Sequence, residues 1–250
     1  MEDNSIVINL EDFKNGTAEF KKIMLMYKSA LKEIETKVNI LSDEFQTLYK
    51  YNPIEHIKTR VKSPESIIKK MERKNLGITY NNMVNYINDV AGIRIICSFL
   101  PDIYRIVEMF EKSEDLKIIE KKDYIKEPKP SGYSSFHLIV LVPVSFSNGT
   151  VDVKVEIQIR TIAMDFWASL EHKIKYKYEN GVPKKISKEL ISCARMINQL
   201  DKKMSRLGEA AMNELAESME TFEPTNDMKL IEKLEKVLVM NSKGKKDEIR

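Results

Sequence analysis

The chain has 250 residues, 42% hydrophobic and 32% charged, a composition that fits one folded domain with helical extensions and leaves little room for a second enzyme. Its 41 basic and 38 acidic side chains leave a net charge of only +3, so the balance alone calls for neither nucleic acid nor a membrane as partner. The start, MEDNSIVINLEDF, is not a secretory signal, no apolar run reaches membrane-spanning length, and Cys97 and Cys193 lie in apolar contexts. These features predict a cytoplasmic protein with two buried thiols in preference to one disulfide.

Past Asn15-Gly16, Phe20, Ile23, Tyr27, Leu31, Ile34, Val38, Leu41, Phe45 and Leu48 recur at steps of three and four. That spacing predicts a long amphipathic helix, or two stacked ones, ended by Asn52-Pro53, serving either as a cover for the domain or as a subunit contact. The basic segment HIKTRVKSPESIIKKMERK follows. Ser63 caps a helix there, Pro64 occupies its first position, and residues 66 to 74 continue it. A short helix around Val84 to Ile87 leads into AGIRIICSF, a buried strand. Pro101-Asp102 opens a helix to about Lys112, and KIIEKKDYI reads as a strand.

GYSSFHLIVLVPV and VDVKVEIQIRT are the clearest strands, joined as a hairpin at Asn148-Gly149. Helix resumes from Ile162 to about Tyr178, breaks at Asn180-Gly181-Val182-Pro183, and runs again from about Ser187 to Met219. A last helix carries Met228, Ile231, Leu234 and Leu238, and the tail NSKGKKDEIR reads as disordered. The division is thus a helical extension over 1–50, a core over 51–180, helices over 181–240 and a tail over 241–250. The fold class is α+β, with a mixed sheet of four or five strands flanked by helices.

The strand from Val151 to Arg160 alternates strictly. Val151, Val153, Val155, Ile157 and Ile159 face one way, and Asp152, Lys154, Glu156, Gln158 and Arg160 the other. Alone, that charged side reads as a solvated sheet face. Its neighbour lines Tyr133, Ser135 and His137 along one face, which makes a ligand surface of the pair. Asp89 stands at the mouth of the buried strand, before Ala91-Gly92-Ile93-Arg94. Two carboxylates from different strands, Asp89 and Glu156, amid Arg and Lys, suit Mg²⁺-assisted phosphate transfer. Lys58, Arg60, Lys62, Lys69 and Lys70 read either as cations for a triphosphate or, as a bare charge run, as a solvated helix face.

At these residues the sequence resembles the RelA/SpoT synthetase family, in particular its short members, the small alarmone synthetases. PIEHIKTRVKSPESIIKK, INDVAGIRIICSF, KDYIKEPKPSGYSSFH and VEIQIRTIAMDFWASLEHKIKYK carry the resemblance, from about Tyr51 to Tyr178. It implies a nucleotidyltransferase-like sheet, a homotetramer, and transfer of pyrophosphate from ATP to the 3′-hydroxyl of GDP or GTP, with GMP as a further acceptor. By resemblance Asp89 and Glu156 hold Mg²⁺ and Glu156 is the base. Arg60 and Arg94 sandwich adenine, and Lys62, Ser66 and Lys70 (or Lys69) bind the triphosphate. Tyr133 stacks on guanine, Lys129 and His137 contact the acceptor nucleotide, and Gln158 and Arg160 line the cleft.

Ser134 departs from the basic or amide residue of many relatives, which would alter acceptor preference. There is no His-Asp dipeptide, and the histidines are His56, His137 and His172. The resemblance therefore implies synthesis without hydrolysis, and the length argues against ribosome-sensing modules. Some relatives respond to pppGpp between subunits near His56, which makes pppGpp a candidate effector. RNA binding is compatible with the charge but not called for. The competing readings are a tRNA 3′-end pyrophosphokinase or adenosine-alarmone toxin on this scaffold, a non-catalytic nucleotide or RNA binder, and a helical scaffold.

Overall fold

A computed structural model describes residues 18–49, 51–178 and 181–219. The last predicted helix, the tail and the Asn15-Gly16 break lie outside them. In chain order the elements are α1 (Ala18–Leu48), β1 (Ile54–Val61), α2 (Pro64–Arg73), α3 (Tyr80–Tyr86), β2 (Ala91–Cys97), α4 (Leu100–Glu111), β3 (Lys117–Asp123), β4 (Phe136–Phe146), β5 (Gly149–Thr161), α5 (Ile162–Tyr176) and α6 (Lys184–Met219). The described residues fall into two compact units divided after Ser205, and the site described below lies wholly in the first.

The five strands form one mixed sheet in the order β1-β2-β5-β4-β3. β2 and β5 run parallel and every other pair is antiparallel. Register puts Thr59, Ile93, Ile157 and Leu138 in one row across four strands. This row belongs to the core face: Val155, Ile157 and Ile159 are fully buried, as are Ile93, Ile95 and Leu138. α1 lies across that face, touching β1, β2, β4 and β5. Its buried residues Phe20, Tyr27, Ala30, Leu31, Ile34, Val38 and Phe45 join the sheet's core rather than awaiting a partner. Each fully buried aliphatic such as Ile34 contributes about 1.5–3 kcal/mol.

The strand β1 is the element the sequence reading passed over, within a segment taken as merely basic. Only Ile54 along it is buried, because it forms one sheet edge and pairs with β2 alone. Ile57 and Val61 nonetheless pack on the core, while His56, Lys58 and Arg60 point the other way, so a period of two was present. At α2 the expected cap is found: the Ser63 hydroxyl accepts from the Ser66 backbone N–H at 3.3 Å, with Pro64 in the first turn.

A second cluster of Trp167, Ala168, Leu190 and Ala194 holds α5 to α6 and backs Tyr133. Trp167 Nε1 donates to the Leu190 carbonyl at 3.0 Å, so this side chain packs within the subunit. One of the two thiols differs from expectation. Cys97 is buried, and burial pushes its pKa up, but Cys193 is exposed. It falls on the outer side of α6, where periodicity in an amphipathic helix leaves room for a small apolar residue in water.

Candidate active site

The face of the sheet opposite α1 carries the charge. One row across all five strands reads Lys58, Arg94, Gln158, His137 and Lys122; the next reads Arg60, Gly92, Glu156 and Ile139. Residues paired across strands share a face, so register alone gathers side chains that are far apart in sequence. A cleft of about 250 Å³ opens there, lined by Lys58, Thr59, Arg60, Asp89, Gly92, Ile93, Arg94, Glu156 and Gln158. The charged side of β5 is solvated only at its start, where Asp152 is exposed; further along, the Glu156 and Arg160 side chains are 16% and 4% exposed. A Cβ at Gly92 would meet nothing closer than 3.7 Å. Packing therefore does not demand this glycine, and its effect is to leave the cleft floor open.

Asp89 lies in the turn before β2. Lys62 and Lys70 each bring Nζ to 2.7 Å from its carboxylate, one on each oxygen. Burial alone would raise the Asp89 carboxyl, but the two lysines outweigh it and hold the pKa below the ordinary value. Of the two adjacent lysines on α2, Lys70 therefore reaches the site, whereas Lys69 is exposed. Ser66 stands at the start of α2, its hydroxyl 3.0 Å from that of Ser63.

Around Glu156 the side chains close a ring. Arg160 Nη2 donates to the Tyr133 hydroxyl at 2.5 Å and to Gln158 Oε1 at 2.7 Å. Gln158 Nε2 donates to Glu156 Oε2 at 2.8 Å, and Tyr133 reaches His137 Nε2 at 2.8 Å. His137 Nδ1 completes it, 3.3 Å from Glu156 Oε1. Burial lowers the His137 pKa, which keeps the imidazole neutral at pH 7 despite Glu156. The donor order then places its proton on Nδ1, and both arms of the ring run from the guanidinium to the carboxylate. Burial, and Asp89 nearby, push the Glu156 pKa up; the hydrogen bonds from His137 and Gln158 prevail and lower it.

The turn that delivers Tyr133 is fixed locally. Gly132 has φ +88°, and a Cβ there would lie 2.5 Å from Ala194 Cβ, so both conformation and packing require glycine. Lys129 sits 4.9 Å from the Tyr133 ring centroid and 4.4 Å from that of Tyr124; Arg160 is 5.0 Å from the Tyr133 ring. Ser134, the departure from the relatives' basic or amide residue, turns away from the cleft. Its hydroxyl donates to the Tyr124 carbonyl at 2.8 Å and the residue is buried, so it holds this loop together.

The site residues inferred from sequence thus come together in two neighbouring groups. Asp89 with Lys62, Lys70, Arg60 and Arg94 forms one; Tyr133, His137, Gln158, Arg160 and Lys129 form the other, and Glu156 stands at the join. One participant was missed. Asp165 in the first turn of α5 accepts from Arg94 Nη1 at 2.9 Å and Arg160 Nη1 at 3.2 Å. The signal was an acidic residue in the otherwise apolar stretch IAMDFWASL, on a face that the helix start buries.

The Asp89 and Glu156 pair suits a hard cation such as Mg²⁺. Both carboxylates line one cleft and sense one another's charge, and two ammonium groups already stand where cationic charge is required. Two protein carboxylates are a usual complement when substrate phosphates complete the coordination. Among the described residues no cluster of three or more His, Cys, Asp and Glu side chains suits a metal, and none forms a helix long and apolar enough to cross a membrane.

Residues 59–181 match the model of the region found in RelA/SpoT proteins. The chain is 51% identical over 198 residues to the GTP pyrophosphokinase YwaC of Bacillus subtilis, covering 79% of this chain and 94% of that protein. The small alarmone synthetase 1 of Bacillus subtilis, solved bound to its product pppGpp, superposes with a TM-score of 0.72 at 35% identity, covering 77% of this chain and 97% of that one. The same synthetase bound to AMPCPP gives 0.68 at 32% identity, over 78% and 98%. With half of its aligned residues shared with one GTP pyrophosphokinase and its fold shared with another, the chain belongs to the RelA/SpoT family, among the small alarmone synthetases.

Proposed function

We propose that this chain makes (p)ppGpp by moving pyrophosphate from ATP to the 3′-hydroxyl of GDP or GTP, with AMP as the leaving group. The observation that carries this reading is the position of Glu156, which belongs both to the cleft of Asp89, Arg60 and Arg94 and to the ring of Tyr133, His137 and Arg160. A base between two nucleotide subsites is what a transfer between nucleotides needs.

In this mechanism Arg60 and Arg94 take the adenine, planar guanidinium against planar base. Lys62, Lys70 and Ser66 take the triphosphate, the lysines exchanging the Asp89 carboxylate for phosphate oxygens. Tyr133 takes guanine by stacking, in place of a cation now beside its ring, and Lys129 and His137 hold the acceptor with Gln158 and Arg160 alongside. Glu156, kept ionised, accepts the 3′-hydroxyl proton. The oxygen forms its bond to the β-phosphorus while the bond from that phosphorus to the oxygen bridging the α-phosphate breaks. The β- and γ-phosphates therefore move together, and AMP departs with the bridging oxygen. Mg²⁺, held by Asp89 and Glu156, would neutralise the phosphates during this transfer.

The chain is further proposed to be cytoplasmic and homotetrameric. An apolar cavity of about 710 Å³ beside exposed Ile162, Phe166, Leu200 and Met204 supports burial of that face in an assembly.

The test is a product assay with ATP, Mg²⁺ and each of GMP, GDP and GTP, comparing the wild type with Glu156→Gln. AMP and a 3′-pyrophosphorylated guanosine nucleotide are expected, with the rate reduced about 10²–10⁴-fold in the variant. A folded, ATP-binding protein that modifies no guanosine nucleotide would overturn the proposal.

A further inference from the structure

Asp165 has no place in the mechanism above, yet it touches one arginine from each subsite. Arg94 on β2 and Arg160 on β5 lie on neighbouring parallel strands and the same sheet face, one pair of residues apart: Arg94 is level with Gln158, and Ile96 with Arg160. Two guanidinium groups so placed repel each other. Burial lowers the Arg94 pKa first, and Arg160 lowers it further, with Asp165 opposing both. A single oxygen, Asp165 Oδ1, accepts from both cations, and the side chain is only 11% exposed.

The two arginines are not held equally. Arg160 also donates to Tyr133, Gln158 and Ser135 and is 3% exposed. Arg94 is more open, with 31% of its side chain exposed, and its Nε is buried with no hydrogen-bond partner among the described residues. Its recorded anchor is Nη1 on Asp165. A carboxylate in the first turn of a helix is favoured by the helix dipole in any protein. That preference gives no reason for it to bridge two cations from separate strands.

We infer that Asp165 is a positioning residue that ties Arg94 to the rigid Arg160 network, setting the donor-nucleotide subsite in register with the acceptor subsite. The inference rests on the proposed placement of adenine at Arg94. Removing the charge leaves Arg160 to its other partners and frees Arg94 to swing away under repulsion. The loss should therefore be read on the ATP side, although Asp165 also touches the acceptor side.

The experiment is a double-mutant cycle of wild type, Asp165→Asn, Arg94→Ala and the pair. Binding of AMPCPP, an ATP analogue with a methylene at the bond that must break, and of GDP is measured calorimetrically, with thermal melting alongside. Asp165→Asn should weaken AMPCPP about tenfold and GDP less than about threefold, the scale of one coupling between neighbours. In the Arg94→Ala background it should add less than about twofold. Equal losses for both nucleotides, or a full additional loss without Arg94, would mean a merely structural role and overturn the inference. If Asp165→Asn does not fold, Asp165→Glu, which keeps the charge on a longer arm, is expected to show the same asymmetry and is judged alike. A wild type binding neither nucleotide sinks the parent reading as well; one binding both, with AMPCPP affinity unchanged in the variant, sinks this inference alone.

Discussion

On the Asp89 side of the cleft, a carboxylate is neutralised by Lys62 and Lys70, two long side chains with rotatable ammonium groups. On the Tyr133 side, four side chains close a ring of hydrogen bonds on Glu156, with a neutral His137 and a nearly inaccessible Arg160 among them. Lysines can exchange partners at little geometric cost, whereas a buried, satisfied network resists rearrangement. The first arrangement suits a triphosphate that brings its own charge and metal. The second suits a nucleoside whose hydroxyl must be aimed. On the proposed mechanism, preorganisation is concentrated where the nucleophile would sit, and adaptability where the phosphates would arrive.

The sharpest way to break that comparison is Asp89→Asn. Turnover should fall by about 100-fold or more at every Mg²⁺ concentration, the scale of losing a metal ligand. AMPCPP binding in EDTA should hold or tighten, because both lysines are released toward phosphate. Weaker binding in EDTA would show that the lysines need Asp89 to be placed, and the adaptable side would then be as preorganised as the other.

Gly132→Ala attacks the rigid side. Its new Cβ meets Ala194 in a left-handed backbone conformation, a cost of about 2–4 kcal/mol. A lower melting temperature is expected, with GDP affinity lost before AMPCPP affinity. An equal fall in both affinities would show the two sides to be one unit.

The smallest effect is on pH. Burial depresses the folded-state pKa of His137 below its ordinary 6.5, so below 6.5 the unfolded chain binds more protons at this site. Its contribution to stability is complete above that value and is lost as pH falls through the folded pKa. Between pH 7.5 and 5.5 the wild type should lose more melting temperature than His137→Gln. An equal loss would remove His137 from the rigid network's balance.

How much was legible beforehand varies with the element. The alternation from Val151 to Arg160 was visible, as were the Ser63-Pro64 helix start and the hairpin at Asn148-Gly149, because each signal lies within a dozen residues. β1 was hidden by its place at the sheet edge, where one buried residue gives little pattern. In the linear motif Ser134 was visible only as a departure from relatives, and its bond to the Tyr124 carbonyl depends on the turn. Asp165 showed only as one acid in an apolar stretch, and nothing local pointed to its bridge, since Arg94 stands 71 residues away.

By itself the sequence determined four of the five strands, the helix starts and most of the charged residues opposite the core, because periodicity and capping act between near neighbours. Only the tertiary structure decided which of those charges meet. The parallel pairing of β2 with β5 sets Arg94 near Arg160, and the turn before β2 carries Asp89 to Lys62, just past β1, and to Lys70 of α2. Such meetings depend on strand order and register, which bring together residues distant along the chain and which no local pattern encodes.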